Sequence, residues 1–245
     1  MKLGIKLYYY WGIREIIYKV LFHKFVFPTL SDFSKFYITY NPDDLIVKLL
    51  GTDIPETIRK EYLEVSASLE SRYKIIKLEY PLNFRLGDNT SFFIYTFIRL
   101  YQPLKVVETG VANGHSTFII LSALAKNGKG KLYSIDIRPN VGSLLTEDLK
   151  RNWELIVLPK ASRKKLDDIL RNLHPIDIFI HDSNHLYYWM KEELNIALKY
   201  VKSQGFIMGD DIDCSYAFLD FVRDKGLDAY FLYDTRKIFG ITKKN

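Results

Sequence analysis

From Asp88 onward, short apolar runs alternate along the chain with longer stretches in which apolar residues recur at helical spacing. The apolar runs predict strands at residues 104–108, 131–136, 154–158, 176–181 and 205–210. Helices are predicted between them, from about Ser116, Ser143, Arg163 and Tyr187. Alternation of this kind is typical of a parallel sheet that carries helices on both faces.

Two further apolar runs, 229–234 and 237–242, have only a short turn near Thr235 between them. They are therefore predicted to pair antiparallel at one edge of the sheet. The whole pattern predicts an α/β, Rossmann-like fold with a seven-stranded, mostly parallel sheet and a C-terminal antiparallel hairpin. Ligands of such open sheets bind outside the carboxyl ends of the strands, so the residues that follow each strand are the candidates for a site.

The first part of the chain lacks both a glycine-rich loop and a run of regular strands. Residues 1–83 are predicted to form a mostly helical extension, and residues 84–245 the domain that contains the sheet. Residues 1–27 carry five Lys or Arg side chains against one Glu, a net charge of +4 out of +6 for the chain. Charges interrupt the apolar residues there, so neither a signal peptide nor a membrane span is predicted. A helix over about 12–25 suits a membrane surface, but packing on the main domain or on a second subunit is favoured.

The composition is that of a folded protein with a packed core, since 48% of the 245 residues are hydrophobic and 26% are charged. Cys214 is the only cysteine. No intrachain disulfide can therefore form, and the cytoplasm is the predicted compartment. The basic balance comes mostly from the N-terminus, and no RNA-binding motif of aromatic and basic residues accompanies it, so nucleic acid is not the expected partner.

A glycine turn follows the first predicted strand of the sheet, in "ETGVANGHST". Gly110 and Gly114 flank this turn, and a helix begins near Ser116, so backbone N–H groups point above the sheet toward a nucleotide or a carboxylate. The spacing differs from the nicotinamide fingerprint and excludes a P-loop. The next strand ends at Asp136, which can accept both hydroxyls of a ribose or only cap a turn before Pro139. Together, the glycine turn and this acid predict a ligand that contains adenosine.

Three carboxylates follow two later strands: Asp182 after the fourth, and Asp210 with Asp211 after the fifth. Ends of neighbouring strands lie about 5 Å apart, so these acids are expected to crowd one place. A hard divalent cation such as Mg²⁺ would neutralise them, although one of the pair can instead cap a helix near Ser215. His185 lies three residues beyond Asp182, where it is either a structural residue or a general base.

Three segments, in this order, resemble motifs of one family: "VVETGVANGHST", "DIFIHDSNHLY" and "LKYVKSQGFIMGDDI". They are similar to segments of the class I S-adenosylmethionine-dependent methyltransferases, and among these of the metal-dependent O-methyltransferases. The catechol and caffeoyl-coenzyme A enzymes share the pattern, as does the macrolide-sugar O-methyltransferase and cephalosporin hydroxylase-like group. In the first two segments the matched positions are Glu108, Gly110, Gly114, Ser116, Asp177, Asp182, His185 and Tyr187. The resemblance runs from about Asp88 to the C-terminus.

The resemblance implies that residues 84–245 form an S-adenosylmethionine-binding methyltransferase domain. The cofactor would contact the matched glycine turn with its methionine end, Asp136 with its ribose, and Ala161 and Ser162 with its adenine. The implied contacts of the methionine end are Glu108, Gly110, Gly114 and Ser116. A divalent metal, Mg²⁺, would lie on Asp182, Asp210 and Asp211.

The sequence departs from the family pattern at three positions. His185 stands where the catechol enzymes have a lysine, which implies a different base. Gln204 and Pro159 each replace a usual glycine, and Pro159 lies close to the predicted adenine contact.

We therefore expect Mg²⁺-dependent O-methylation of a hydroxyl on a small molecule, such as a sugar or a phenol, with Asp182 and His185 as catalytic residues. A homo-oligomer is also expected. Two alternatives stay open: a hydroxylase-like relative on the same fold, and a non-catalytic binding protein. The sequence shows no obvious triad of two His and one carboxylate for iron, which disfavours the first alternative.

Overall fold

The computed structural model describes residues 27–158, 162–235 and 237–245. Its N-terminal part is mostly helical, as predicted, but includes one short strand. Its elements are α1 (Leu30–Phe33), β1 (Tyr37–Thr39), α2 (Pro42–Leu50), α3 (Glu56–Ile75) and α4 (Asp88–Tyr101). A 3-10 turn over Leu82–Phe84 lies between α3 and α4.

Strands and helices alternate from Lys105 onward, and most lie within a few residues of their predicted positions. The helix expected near Ser143 begins at Glu147 and is only four residues long. The elements of this part are β2 (Lys105–Thr109), α5 (His115–Asn127), β3 (Lys131–Asp136), α6 (Glu147–Lys150), β4 (Trp153–Val157), α7 (Arg163–Leu173), β5 (Ile176–His181), α8 (Tyr187–Tyr200), β6 (Val201–Gly209), α9 (Ala217–Lys225), β7 (Ala229–Asp234) and β8 (Lys237–Lys243).

The strands form one sheet in the order β1-β7-β8-β6-β5-β2-β3-β4, with β8 antiparallel to both of its neighbours. The predicted Rossmann-like α/β architecture and the C-terminal hairpin are confirmed. The predicted strand number is wrong, because the sheet has eight strands. The additional strand is β1, which pairs parallel with β7 and places Tyr37 opposite Tyr230. The hairpin is therefore not at the edge of the sheet.

The core lies on both faces of the sheet, which explains why its central strands read as continuous apolar runs. Successive residues of β5 show the alternation: Ile178 and Ile180 belong to one buried cluster, and Phe179 belongs to the other. Leu45 of α2 and Leu69 of α3 lie in the same cluster as Ile178. The N-terminal helices thus bury part of one face, with each large apolar side chain contributing about 1.5–3 kcal/mol.

Some predictions fall outside the described residues, namely the helix over 12–25 and the basic segment around it. In the part of the chain that the structure describes, no helix is both long enough and apolar enough to cross a membrane.

Candidate active site

The carboxyl ends of β2, β5 and β6 lie side by side, because β5 pairs with both of the other strands. Hydrogen bonds continue the ladder past the strand ends: the Asp182 amide donates to the Thr109 carbonyl, and the Asp210 amide to the His181 carbonyl, both at 2.9 Å. These bonds bring Asp182 and Asp210 next to each other above the sheet. The sequence-based expectation that these acids lie close together therefore agrees with the structure.

A cavity of about 330 Å³ opens above the ends of β2, β3 and β5. Its walls are mostly apolar, with Asp136 on one side and Asp182 on the other. We call it the larger cavity. It is lined by Tyr80, Phe84, Thr109, Gly110, Val111, Ala112, Ile135, Asp136, Ile137, Arg138, Leu158, Leu166, Asp182, Ser183, Asn184, Trp189 and Glu193.

Gly110 forms the sharp turn that follows β2, with a φ of 85°. A Cβ atom at this position would lie 2.0 Å from the Asp182 carbonyl oxygen, so only glycine allows the β2 and β5 loops to approach this closely. Gly114 has a φ of 91° and comes directly before α5, as the sequence predicts. The turn thus directs backbone N–H groups and the start of α5 toward the region above the sheet.

Asp136 ends β3 and lines the larger cavity. Its carboxylate accepts hydrogen bonds from the Val111 amide and the Arg138 amide, both at 2.9 Å. Each oxygen therefore has one backbone donor. Since a carboxylate has about four acceptor positions, the group can still accept the hydroxyls of a ribose.

Three of the residues predicted to hold the methionine end of the cofactor, Glu108, Gly114 and Ser116, are not among those that line the larger cavity. Glu108 is fully buried, and one of its oxygens accepts hydrogen bonds from Thr117 and Ser134, each at 2.6 Å. Its other oxygen has no partner among the described residues, and burial raises the pKa of this carboxyl to about 7. In this arrangement Glu108 lies beneath the glycine turn, and direct contact with a cofactor stays a prediction.

The predicted adenine contacts are only partly described. Ala161 and Pro159 lie outside the described residues. Ser162 caps α7, with its hydroxyl accepting from the Lys165 amide, and it is not part of the cavity wall. Leu158 and Leu166, on either side of this segment, do line the cavity. Apolar side chains directly after β4 and within α7 therefore form the wall expected at the adenine end.

A second cavity, of about 210 Å³, adjoins the first. We call it the smaller cavity. It is lined by Asn83, Phe84, Val111, Ala112, Asp182, Ser183, His185, Asp210, Asp211 and Lys237. Five of these residues, Phe84, Val111, Ala112, Asp182 and Ser183, also line the larger cavity. The two cavities are therefore neighbours, one mostly apolar and the other rich in charge.

The three carboxylates of the smaller cavity are not alone, because the Lys237 ammonium lies among them. Its nitrogen is 3.1 Å from Asp210 Oδ2 and 3.0 Å from Asp211 Oδ1. Burial and the neighbouring carboxylates raise the pKa of Asp182 well above its usual range, and burial with Asp211 raises the pKa of Asp210 to about 7. The pKa of Lys237 is itself raised, because the attraction of Asp210 and Asp211 outweighs its burial. Lys237 is thus a firmly charged ammonium.

The predicted metal site does not fit this arrangement. The cation nearest Asp210 and Asp211 is an amino acid side chain of the chain itself, and it already pairs with both carboxylates. Among the described residues, no group of three His, Cys, Asp or Glu side chains is arranged to hold a metal ion. A metal would need Lys237 to leave its two partners. Asp182, Asp210 and Asp211 do lie close together, but Lys237 is already the counter-ion of Asp210 and Asp211.

His185 lines the smaller cavity and its side chain is 23% exposed. Its Nε2 lies 3.8 Å from Asp182 Oδ1 and 3.8 Å from Asp211 Oδ2, which is too far for a hydrogen bond. Burial, followed by the neighbouring His181, lowers the pKa of His185 to about 4. The ring is therefore neutral at pH 7. The structure thus places His185 beside the carboxylates, as predicted.

Comparison with known proteins shows what the domain is similar to. Residues 107–212 match a family model described as a methyltransferase domain. The chain resembles methyltransferases over this segment, which is less than half of its length. It is similar to a Bacillus cereus O-methyltransferase solved with S-adenosylhomocysteine (12% identity, 84% of this chain and 98% of that chain, TM-score 0.55). No curated protein matches the chain at a significant level.

Two further solved structures share the methyltransferase fold. One is the O-methyltransferase TomG from Streptomyces achromogenes, involved in tomaymycin synthesis and solved with S-adenosylmethionine (17% identity, 84% of this chain and 97% of that chain, TM-score 0.54). The other is a Podospora anserina methyltransferase with bound S-adenosylhomocysteine (13% identity, 83% of this chain and 95% of that chain, TM-score 0.55). At these identities the likeness establishes the fold.

The domain that contains the sheet has a buried polar network that the sequence did not predict. Glu193 of α8 accepts hydrogen bonds from Thr109 at 2.7 Å, Ser183 at 3.1 Å and Trp189 at 2.5 Å, and it pairs with His181 Nδ1 at 2.6 Å. The network ties α8 to the ends of β2 and β5, and four of its members, Thr109, Ser183, Trp189 and Glu193, line the larger cavity. The only sign of this network in the sequence was Glu193, an acid on the buried face of the helix α8.

Sequence analysis also missed Lys237, which occupies the first position of β8. Its signal was topological. A lysine that begins an antiparallel strand lies near the residues that follow its partner strand, here Asp210 and Asp211 after β6.

Proposed function

We propose that the protein transfers the methyl group of S-adenosylmethionine to a hydroxyl group of a small molecule. The observation that carries the proposal is the pair of adjoining cavities, which share five residues at the ends of β2 and β5 and in the turn before α4. A methyl transfer needs a donor pocket and an acceptor pocket that meet at one point, with donor carbon and acceptor oxygen in line.

The larger cavity suits the methyl donor. Asp136, which lines this cavity, would accept the ribose hydroxyls, and the apolar side chains of Leu158 and Leu166 would contact the adenine. Gly110 and Asp182 line this cavity where the methionine end is proposed to lie, and the donor sulfur would then face the smaller cavity. A volume of about 330 Å³ is at the lower end of the usual range for ligand pockets.

The smaller cavity suits the acceptor. A hydroxyl must lose its proton as the new bond to carbon forms, and a neutral imidazole at the cavity wall can take it. His185 is such a group, because its lowered pKa keeps it unprotonated at pH 7. Asp211, whose Oδ2 lies 3.8 Å from its Nε2, would stabilise the imidazolium that results.

The acceptor is proposed to be small, because the smaller cavity measures only about 210 Å³. Its walls combine Phe84, an aromatic ring, with the amide of Asn83 and several charged groups. A hydroxylated ring, such as a sugar or a phenol, matches this mixture. The divalent cation of the sequence-based hypothesis stays a prediction, and no step of the proposed reaction depends on it.

The proposal is tested by incubating the protein with S-adenosylmethionine and a panel of small phenols and sugars. Formation of S-adenosylhomocysteine together with an acceptor that gains one methyl group is the expected result. The proposal would be contradicted if no acceptor were methylated and the protein also failed to bind S-adenosylmethionine.

His185→Ala tests the base. We expect the variant to keep cofactor binding and lose about 10²- to 10⁴-fold in kcat, with the loss shrinking at high pH, where hydroxide replaces the base. His174→Ala is the control, because His174 is exposed and its ring bonds only to the Tyr200 carbonyl, at the opposite end of β5. Equal rates for His185→Ala and His174→Ala would show that His185 is structural.

A further inference from the structure

Lys237 owes its position to the topology of the sheet. It begins β8, which runs antiparallel to β6, with Gly240 opposite Gly209. Counting back from that pair, Lys237 lies beside the residues that follow β6. The start of β8 therefore lies next to the end of β6, and the Lys237 side chain can reach Asp210 and Asp211. All three residues line the smaller cavity.

The contacts of Lys237 leave part of its ammonium group available. It donates to Asp210 Oδ2 and to Asp211 Oδ2, both at 3.1 Å, and Asp211 Oδ1 lies 3.0 Å from the same nitrogen, so the two oxygens of Asp211 share one N–H. Because an ammonium has three N–H donors, one remains for a ligand. The side chain is 24% exposed, whereas that of Asp210 is only 3% exposed. The Lys237 ammonium is thus bound to the buried Asp210 carboxylate on one side and faces the smaller cavity on the other.

This position gives the smaller cavity its own cation. By the sequence-based hypothesis, a divalent metal on the three acids would bind the acceptor. In the structure, the Lys237 nitrogen lies within 3.1 Å of carboxylate oxygens on two of these acids, Asp210 and Asp211. A neutral side chain at position 237 would leave these carboxylates without a counter-ion among the described residues that line the cavity.

We propose that Lys237 is the resident cation of the acceptor site: its ammonium binds the acceptor oxygen directly, so methyl transfer proceeds without a divalent metal. This proposal rests on the methyltransferase function proposed above. It assigns Lys237 a catalytic role and changes the expected acceptor.

The reaction balances with the groups in the two cavities. The acceptor oxygen forms a bond to the methyl carbon, while the carbon–sulfur bond breaks and its electron pair stays on sulfur as a neutral thioether. The hydroxyl proton passes to His185. The free N–H of Lys237 donates to the acceptor oxygen and stabilises the negative charge that develops on it before the new bond is complete.

A resident ammonium also predicts the class of acceptor. A metal can bind two adjacent oxygens at once and so favours vicinal diols, whereas one N–H binds one oxygen. Lys237 therefore predicts that an isolated hydroxyl suffices. Acceptors with a single hydroxyl are expected to react within about tenfold of matched vicinal diols.

The first test measures metal binding without cofactor or acceptor. Wild-type protein is titrated with Mn²⁺ alone, followed by electron paramagnetic resonance, and with Mg²⁺ alone by calorimetry. We expect no stoichiometric site at millimolar metal. Lys237→Met should bind Mn²⁺ at least tenfold more tightly than wild type, because it removes the ammonium and leaves the carboxylates. Tight stoichiometric Mn²⁺ binding by the wild type would overturn the proposal, and this arm holds even if no acceptor is found.

The second test measures turnover. Wild-type activity is expected to be unchanged by EDTA, and Lys237→Met to lose about 10²- to 10³-fold in kcat, the usual cost of one charge-stabilising donor. Lys237→Arg, which keeps the charge, should recover part of the rate. Lys202→Met is the matched control, because Lys202 pairs with Asp177 at the opposite end of the same strands and should leave kcat unchanged.

The outcomes separate the two proposals. Loss of turnover in EDTA with recovery in Mg²⁺ would contradict the role of Lys237 while leaving the methyltransferase function in place. Wild-type rates in Lys237→Met would contradict it as well. A wild-type protein that binds no S-adenosylmethionine would instead contradict the proposed function. If Lys237→Met does not fold, the Mn²⁺ and EDTA measurements on the wild type still decide the question.

Discussion

The Glu108 carboxyl, fully buried with one unpartnered oxygen, makes stability depend on pH. Its pKa of about 7 in the folded protein lies above the ordinary value of 4.5. The folded state therefore binds the extra proton, and stability is lost as pH rises from about 4.5 to 7. Glu108→Gln removes this dependence. We expect the wild type, relative to the variant, to lose up to about 3 kcal/mol of unfolding free energy between pH 5 and pH 8 in urea titrations. Equal changes in both proteins would show that Glu108 does not titrate in this range.

Asp136 is the residue on which the ribose assignment depends. Asp136→Ala should weaken S-adenosylmethionine binding by about 1 to 3 kcal/mol, since the ribose hydroxyls would lose a charged acceptor. Because Asp136 also holds the Val111 and Arg138 amides, Asp136→Asn serves as the control that keeps one acceptor oxygen. Unchanged affinity in Asp136→Ala, measured by calorimetry, would place the ribose elsewhere.

Single residues were predictable where a local pattern marks them. Gly110, Asp136 and Asp182 each follow a recognisable strand, and the structure places all three on the larger cavity. Lys237 was not predicted, because its role depends on a neighbour in the sheet that is 26 residues away in the chain. Ala161 lies outside the described residues, so its predicted contact stays untested.

At the scale of elements, the approach of β2 and β5 is limited by Gly110. Gly110→Ala would place a Cβ 2.0 Å from the Asp182 carbonyl oxygen, in addition to the strain of a positive φ. Gly128→Ala is a matched control, because Gly128 also has a positive φ but no atom within 4 Å of the new Cβ. We expect a loss of about 1 kcal/mol of stability for Gly128→Ala and at least twice that for Gly110→Ala. Equal losses in urea titrations would mean that the loops move apart at no cost.

The central strands were predictable because each is a continuous apolar run. The helices between them were predictable because their apolar residues recur at helical spacing. β1 was not. It has three residues, all half-buried, and it forms a strand only because β7 offers a partner edge. Tyr37, Ile38 and Thr39 all favour strands, but a run of three is too short to predict a strand without knowledge of the tertiary fold.

At the scale of the molecule, the extension and the sheet share one hydrophobic cluster, which joins Leu45 and Leu69 to Ile178. Removal of residues 1–27 is expected to leave S-adenosylmethionine binding intact, because the described cavities contain no residue before Tyr80. Removal of residues 1–41 should also take away β1, expose the edge of β7 and promote aggregation. Light scattering and calorimetry check both outcomes. Loss of cofactor binding in the shorter truncation would show that the N-terminus contributes to the site.

The predicted homo-oligomer and the membrane contact of residues 1–27 belong to the same scale and stay predictions. The shorter truncation tests them as well. Its oligomeric state and its partitioning onto anionic vesicles are compared with those of the full chain. An unchanged oligomer with unchanged partitioning would contradict both.

The central claim is that the larger cavity holds S-adenosylmethionine with its methyl group facing the smaller one. Isothermal titration of the wild-type protein with S-adenosylmethionine tests it most directly. The account predicts one site per chain, competition by S-adenosylhomocysteine, and weaker binding in Asp136→Ala. A folded wild-type protein that shows no binding of either compound at millimolar concentration would contradict it.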